Sequence, residues 1–186
     1  MEFRKIKLED EKAYREFEAA MLEDKKSNPF VEWWHIEDFQ SFVSKEEKSE
    51  VKAKGQSWSI YTRYFAFLDG KIVGNVICYW ELGHPDCQKL GHMGYMVAPS
   101  FRRQGFASRF ISFALKRYRE KGMDSILIAT DQTNLASRRL IEKMGGQLVA
   151  LEEVEYQEQL LQSARYKLKL KHFMSDTSQS LNKQRI

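Results

Sequence analysis

Between Gly91 and Gly146 the hydrophobic period of the chain switches repeatedly, and this switching limits the fold more than any other stretch. Met93, Tyr95 and Val97 alternate as in a strand, and Pro99-Ser100 marks a turn. Ala107, Ile111, Ala114, Leu115 and Tyr118 then recur at helical spacing, with Gly122 as the stop. Residues 125–130 are short and continuously apolar, the pattern of a strand buried on both faces. Asn134, a good N-cap type, opens a second helix that stops at Gly145-Gly146. Strand, helix and strand at this spacing predict a parallel βαβ unit, right-handed by default.

The segment joining the first strand to its helix is Arg102-Arg103-Gln104-Gly105-Phe106-Ala107. A glycine there lets the backbone come close to a ligand. The first N–H groups of a helix have no intrahelical partner, and the helix dipole makes that end attractive to anions. Two arginines add positive charge. The segment reads as a cradle for a pyrophosphate.

These residues resemble the GCN5-related N-acetyltransferase (GNAT) family, whose acetyl-CoA signature is Arg/Gln-x-x-Gly-x-Gly/Ala at a strand-to-helix junction. Met96-Val97-Ala98-Pro99 is similar to the end of the family's strand, and Asn134-Leu135-Ala136-Ser137 with the Gly145-Gly146 stop is similar to its second cofactor motif. Gly91-His92-Met93-Gly94-Tyr95 resembles the corresponding strand of a branch of uncharacterised bacterial acetyltransferases. The resemblance implies an α/β fold: a mixed, mainly antiparallel sheet with a central parallel βαβ unit and flanking helices. It also implies an acyltransferase that uses acetyl-CoA as co-substrate, with no metal, and passes the acetyl group directly to a primary amine.

Site residues follow from the same resemblance. Met96, Val97, Arg102, Arg103, Gln104, Gly105, Phe106, Ala107 and Ser108 would hold the cofactor, with Asn134 and Ser137 on its pantetheine arm. The Val97 N–H would polarise the thioester oxygen. Many relatives carry a tyrosine, acting as general acid, where this chain has Ile141; water, or a tyrosine from elsewhere such as Tyr95 or Tyr156, would then substitute. No carboxylate stands on the strand before the hexapeptide, which leaves His92 as the nearest titratable base, with Glu81 and His84 behind it. Trp33, Trp34 and Trp58 are placed to wall an acceptor pocket. Cys78 and Cys87 lack a paired histidine, so no covalent enzyme intermediate is expected.

Elsewhere, residues 9–22 predict an amphipathic helix broken at Ser27-Asn28-Pro29, and a second helix runs from Ile36 towards Lys54 with Gly55 as its stop. Asp69-Gly70 between residues 60–68 and 71–80 predicts a hairpin. Residues 82–90 read as a loop, and 147–155 and 164–170 as further strands. One domain over 1–171 and a disordered tail over 172–186 are expected, since the tail has little to bury.

Composition narrows the functional classes. No apolar run approaches the ~20 residues of a membrane span. The first residues lack the apolar core of a secretion signal, and two cysteines are too few for a disulfide framework. A cytoplasmic protein with reduced thiols is expected, in keeping with a small-molecule or peptide amine as partner and with a homodimer. The pI near 8.9 raises nucleic-acid binding as a competing class. The 30 basic and 26 acidic residues are interspersed, however, and no aromatic-basic platform accompanies them, so no nucleic-acid partner is expected. A non-catalytic acyl-CoA-binding or sensing module is the main alternative.

Overall fold

The computed structural model describes residues 1–156 and 159–170. Two antiparallel sheets carry five α-helices and two short 3-10 helices among the described residues. The first sheet has the order β1 (Glu2–Arg4), β2 (Tyr61–Leu68), β3 (Lys71–Tyr79) and β4 (Met93–Val97). The second has the order β5 (Ser125–Asp131), β7 (Gln159–Lys169) and β6 (Gln147–Tyr156). The helices are α1 (Glu11–Lys25), α2 (Phe39–Lys48), α3 (Pro85–Leu90), α4 (Phe106–Glu120) and α5 (Leu135–Lys143).

Local chemistry sets the main boundaries. The β2–β3 hairpin turns at Asp69 and Gly70 with φ of 49° and 77°, the positive values a two-residue hairpin turn requires. Helix α2 is shorter than its apolar pattern suggests. The Asp38 side chain accepts the Ser41 N–H and starts it late, and it ends at Lys48, well before Gly55. The segment read as a loop contains α3, with the His84 side chain capping the Asp86 N–H and Pro85 in the first turn. Strand β7 starts at Gln159, earlier than expected, because Leu160 and Leu161 pair with Glu155 and Val154. The predicted tail, 172–186, lies outside the described residues.

The first sheet has a core on each face. On one, Val76, Cys78, Phe110, Ile111 and Tyr118 pack with Ile126 and Ile128 of the second sheet. On the other, Tyr14, Phe17 and Met21 of α1 meet Phe39, Val43 and Phe65. Burying each such side chain contributes about 1.5–3 kcal/mol, so both faces hold their helices firmly.

The predicted β-α-β unit is β4–α4–β5, which carries the chain from one sheet to the other. Its two strands do not zip together. They meet at one backbone bridge, Gly91 to Ile128, with the His92 N–H donating to the Leu127 carbonyl at 2.7 Å. Gly91 has φ of 84°, and a Cβ there would lie 2.6 Å from the Leu127 oxygen, so only glycine permits this approach. Beyond the bridge β4 and β5 stay unpaired. Strand β5 is therefore not buried on both faces as its apolar run suggested: Ile126 and Ile128 are buried, while Leu127 and Ala129 are only half-buried. No described helix is long and apolar enough to cross a membrane.

Candidate active site

The opening between β4 and β5 leads into a cavity of about 600 Å³. Gly94, Tyr95 and Met96 line it from β4, and Ile128 to Asp131 from β5. Asn134 and Ser137 close the α5 side. At the other end it is lined by Trp33 and Trp34 from the α1–α2 connection and by Arg63, Asn75 and Tyr79 from the sheet.

Register determines which backbone groups face the opening. In an antiparallel ladder, hydrogen-bonded and non-bonded pairs alternate. The Tyr79 N–H donates to the His92 carbonyl at one end of β4, and the Ala98 N–H to the Val73 carbonyl at the other. Gly94 and Met96 therefore bond to β3, while the backbone groups of Met93, Tyr95 and Val97 point away from it. By that alternation the Val97 N–H turns away from β3, to the side of the gap, and the Val97 carbonyl accepts from Arg102 Nε at 3.1 Å, although Val97 itself does not line the cavity.

Just beyond β4 the chain makes an open cradle. Arg103 and Gly105 both adopt positive φ, 60° and 80°, before α4 begins. The first α4 N–H to find a backbone acceptor is that of Arg109, on the Gly105 carbonyl. The N–H groups of residues 103–108 make no hydrogen bond of ordinary geometry to a protein acceptor among the described residues, where residues 102–105 form a loose turn. Successive unpaired N–H groups in this conformation form an anion-binding concavity. Gln104 and Ser108 hold it in shape through bonds to the Ser100 and Gly105 carbonyls. Phe106 is buried and anchors the helix, and Ala107 is half-buried. None of residues 102–108 lines the cavity itself; the cradle is surface at its edge.

The two arginines divide their work. Arg102 makes a bidentate pair with Asp24 in the last turn of α1, at 3.0 and 2.6 Å. That hydrogen-bonded pairing holds the Asp24 carboxyl below its ordinary pKa. The Arg102 guanidinium is thus a brace between α1, the end of β4 and the cradle, while Arg103 is exposed.

Asn134 and Ser137 stand where the sequence suggested. The Asn134 side chain accepts the Ser137 N–H, and the Ser137 hydroxyl lies 3.0 Å from that of Tyr95. Burial pushes the Tyr95 phenol above its usual pKa, so it keeps its proton at neutral pH. Ile141, at the position where many relatives have tyrosine, is fully buried in the core. Trp33 and Trp34 both reach the cavity, but Trp58 does not; it packs on His84 and Tyr79 over a neighbouring depression.

The expected bases fare differently. His92 does not line the cavity. Its Nδ1 accepts the Leu127 N–H at 3.0 Å and its carbonyl accepts from Tyr79 and from the Tyr118 hydroxyl. Burial lowers its pKa, so the ring is a neutral stitch between β4 and β5. Glu81 pairs with Lys52, and His84 caps α3. The sequence reading missed Glu32, which stands at the cavity rim. Its surroundings desolvate the carboxyl and raise its pKa against the pull of Lys25. It also missed Arg63 and Asn75, although each is a polar residue inside an otherwise apolar or aromatic strand. That mismatch was the available signal. Cys78 is buried, its thiol pushed up to about 12, which makes it inert. Among the described residues no cluster of three His, Cys, Asp or Glu could hold a metal.

An unzipped strand pair with an anion cradle at the following helix defines a protein that holds a phosphate-bearing ligand across a splayed sheet. The family model for acetyltransferases of the GNAT family matches residues 18–146, and the chain belongs to that family of acetyl-transferring enzymes. No curated protein matches. Among solved structures, an N-acetyltransferase from Staphylococcus aureus Mu50 is similar over 91% of this chain and 98% of its own, with 20% identity and a TM-score of 0.65. A putative acetyltransferase from Salmonella typhimurium, solved with its cofactor acetyl-CoA, is similar over 96% and 98%, with 16% identity and a TM-score of 0.64. A ribosomal-protein-alanine N-acetyltransferase from Brucella melitensis covers 91% and 100%, at 13% identity and a TM-score of 0.65. At these identities the likeness is one of fold.

Proposed function

We propose that the protein is an acetyl-CoA-dependent N-acetyltransferase that passes the acetyl group directly to a primary amine. The observation that carries this reading is the β4–β5 gap, with the Val97 N–H turned to its side and the unpaired N–H groups of residues 103–108 at its edge. The residues present fit acetyl-CoA: the cradle and Arg103 would take the pyrophosphate, and Met96, Asn134 and Ser137 would flank the pantetheine arm. Bound acetyl-CoA supplies an acetyl group activated as a thioester.

The residues of the chain do the rest. The Val97 N–H donates to the acetyl carbonyl oxygen as negative charge gathers there, the role of an oxyanion hole. Glu32 takes the proton that the amine nitrogen sheds as it forms the amide bond. When the C–S bond breaks, the electron pair leaves with sulfur, and the Tyr95 hydroxyl returns a proton to it, with Ser137 holding the phenol in place. Glu32 is exposed at the rim, yet its surroundings partly desolvate the carboxyl and raise its pKa, which suits a base, since proton transfer is most effective when the pKa approaches the working pH.

One observation favours the non-catalytic alternative: Ile141 leaves α5 without a proton donor. Thermal unfolding with acetyl-CoA, CoA and ATP is the first test. A ligand at a hundredfold excess over Kd adds ~2.7 kcal/mol, which is roughly 5–10 °C at this chain length. Stabilisation by acetyl-CoA and CoA but not ATP is the expected result, followed by thiol release on an amine panel. Stabilisation without turnover on any amine would leave the sensing module as the better reading, and no stabilisation would end both.

A further inference from the structure

The acceptor end of the cavity carries polar atoms that the steps above leave unused. Trp33 and Asn75 are 5% and 4% exposed, yet the Trp33 Nε1–H and the Asn75 Oδ1 have no hydrogen-bond partner among the described residues. The Arg63 Nε–H shares this condition, lying 3.4 Å from Glu46 Oε1 without hydrogen-bonding alignment. All three residues line the cavity. A buried donor or acceptor left unmade costs about 1–3 kcal/mol. Tyr14 Oη, Glu46 Oε2 and Glu152 Oε1 lack a hydrogen-bond partner among the described residues too, and Arg63 shares its charge with the buried Glu46. Trp33 Nε1 and Asn75 Oδ1 have neither a partner nor open surface of their own. Because their residues line the cavity they supply, with Arg63, two donors and one acceptor once a side chain turns towards a ligand.

Register places these atoms relative to the chemistry. Asn75 pairs with Met96 of β4 on one side and Phe65 of β2 on the other, so it stands one strand in from the gap. Arg63 pairs with Ile77 and is the diagonal neighbour of Asn75, roughly 7–8 Å away. The Arg63 Cζ lies 5.8 Å from the centre of the Trp33 ring, which groups the two donors. Ile77 lines the floor beside them. The acceptor oxygen is thus near the gap and the donors are together farther from it. Carboxylates Glu32 and Asp131 also line the cavity, but neither belongs to the β2–β3 floor that carries Arg63 and Asn75.

Resting on the N-acetyltransferase reading, we propose that the acceptor is a short linear amine with a carboxylate at its far end. The Asn75 Oδ1 takes an N–H of the amine, Arg63 and the Trp33 indole N–H bind the carboxylate, and the methylenes between them lie along Ile77. Charge-assisted bonds to a carboxylate are the strong ones. The acceptor Asn75 and the donor Arg63 stand on neighbouring strands, so the length of chain between amine and carboxylate is what a homologous series reads out.

The test is thiol release from acetyl-CoA with glycine, β-alanine, 4-aminobutyrate, 5-aminovalerate and 6-aminohexanoate, each beside the alkylamine of equal length without a carboxylate. The expected kcat/KM favours the carboxylate-bearing member by at least ~10-fold at the best length, since a site built to hydrogen-bond a group rejects the analogue lacking it. In the double variant Arg63→Gln, Glu46→Gln, which removes both charges and so leaves no buried Glu46 alone, that ratio falls towards one. Trp33→Phe, which keeps the ring and loses the donor, lowers it severalfold. Equal rates within each pair, or a ratio untouched by both variants, overturns the proposal while the acetyltransferase reading stands. If acetyl-CoA stabilises the protein and no compound turns over, unfolding in CoA with 5-aminovalerate against pentylamine decides, and equal stabilisation overturns it. If acetyl-CoA neither stabilises the protein nor is consumed, the acetyltransferase reading fails and this proposal falls with it.

Discussion

The two ends of the cavity are built from different materials. Towards α4 and α5 the functional groups are mostly main-chain: the Val97 N–H in an unzipped strand edge and the unpaired N–H groups of residues 103–108. Towards α1 and α2 they are side chains drawn from distant parts of the chain, Glu32, Trp33, Arg63 and Asn75. Backbone geometry is imposed by a few local residues, such as a glycine that tolerates positive φ or a proline that ends a strand. A side-chain wall is imposed only by the tertiary fold. One half can therefore be shared by chains with little else in common, while the other is free to follow the acceptor.

The sharpest way to break this division is at Gly105. A Cβ there would meet only Ser108 Oγ at 3.9 Å, so the constraint is the φ of 80° and not space. Gly105→Val is expected to keep the fold, checked by circular dichroism, and to abolish measurable acetyl-CoA binding by calorimetric titration. Unchanged affinity would show that the main-chain cradle does not hold the cofactor.

A smaller effect is expected at Glu32. Because partial desolvation at the rim raises its pKa, kcat/KM should begin to fall above the ordinary carboxylate range as pH decreases. Glu32→Gln should lower kcat about 10²–10³-fold and flatten that acid limb. Persistence of the limb in the variant would assign the base elsewhere. Tyr95→Phe should cost less, about 10²-fold in kcat with little change in the KM for acetyl-CoA. A thiol of pKa ~8.5 leaves tolerably well without help, so a donor with a more acidic thiol should narrow the loss; an equal loss with both donors would mean a structural role.

His92 supplies the smallest effect on rate and a clear one on stability. His92→Phe strands the Leu127 N–H and should cost about 1–3 kcal/mol in chemical denaturation, leaving the pH profile of kcat unaltered. Burial lowers the folded-state pKa, so below about 6.5 the unfolded chain binds more protons than the folded one, and stability drops as pH falls through that window. The variant should lose this drop. An altered kcat profile would restore His92 to the chemistry.

What was legible in the sequence follows the same division. The turn and helix start at Gly105, the strand end at Val97 and the Asn134 cap announced themselves because each is a short run whose residues act on their own neighbourhood. The hairpin at Asp69-Gly70 was readable for that reason too. The setting of His92 was not legible because its partner, the Leu127 N–H, is distant in the chain and meets it only once Gly91 closes on β5. The Arg102 pairing was hidden in the same manner: nothing local reveals that Asp24 arrives from α1 with a matched pair of oxygens. Glu32 lies in a connection without period, and only the cavity around it gives it meaning.

The Asp24–Arg102 brace has a consequence for how the two ligands sense each other. It fastens the helix that leads into the Trp33 wall to the loop that forms the cradle, so the two ends of the cavity hang on a common joint. Any shift that one ligand imposes on that joint is felt by the other, and linkage requires the effect to be mutual: the factor by which the first ligand changes the affinity of the second equals the factor in return. Loosening the joint with Asp24→Ala would then show itself less in the grip on either ligand alone than in the loss of conversation between them.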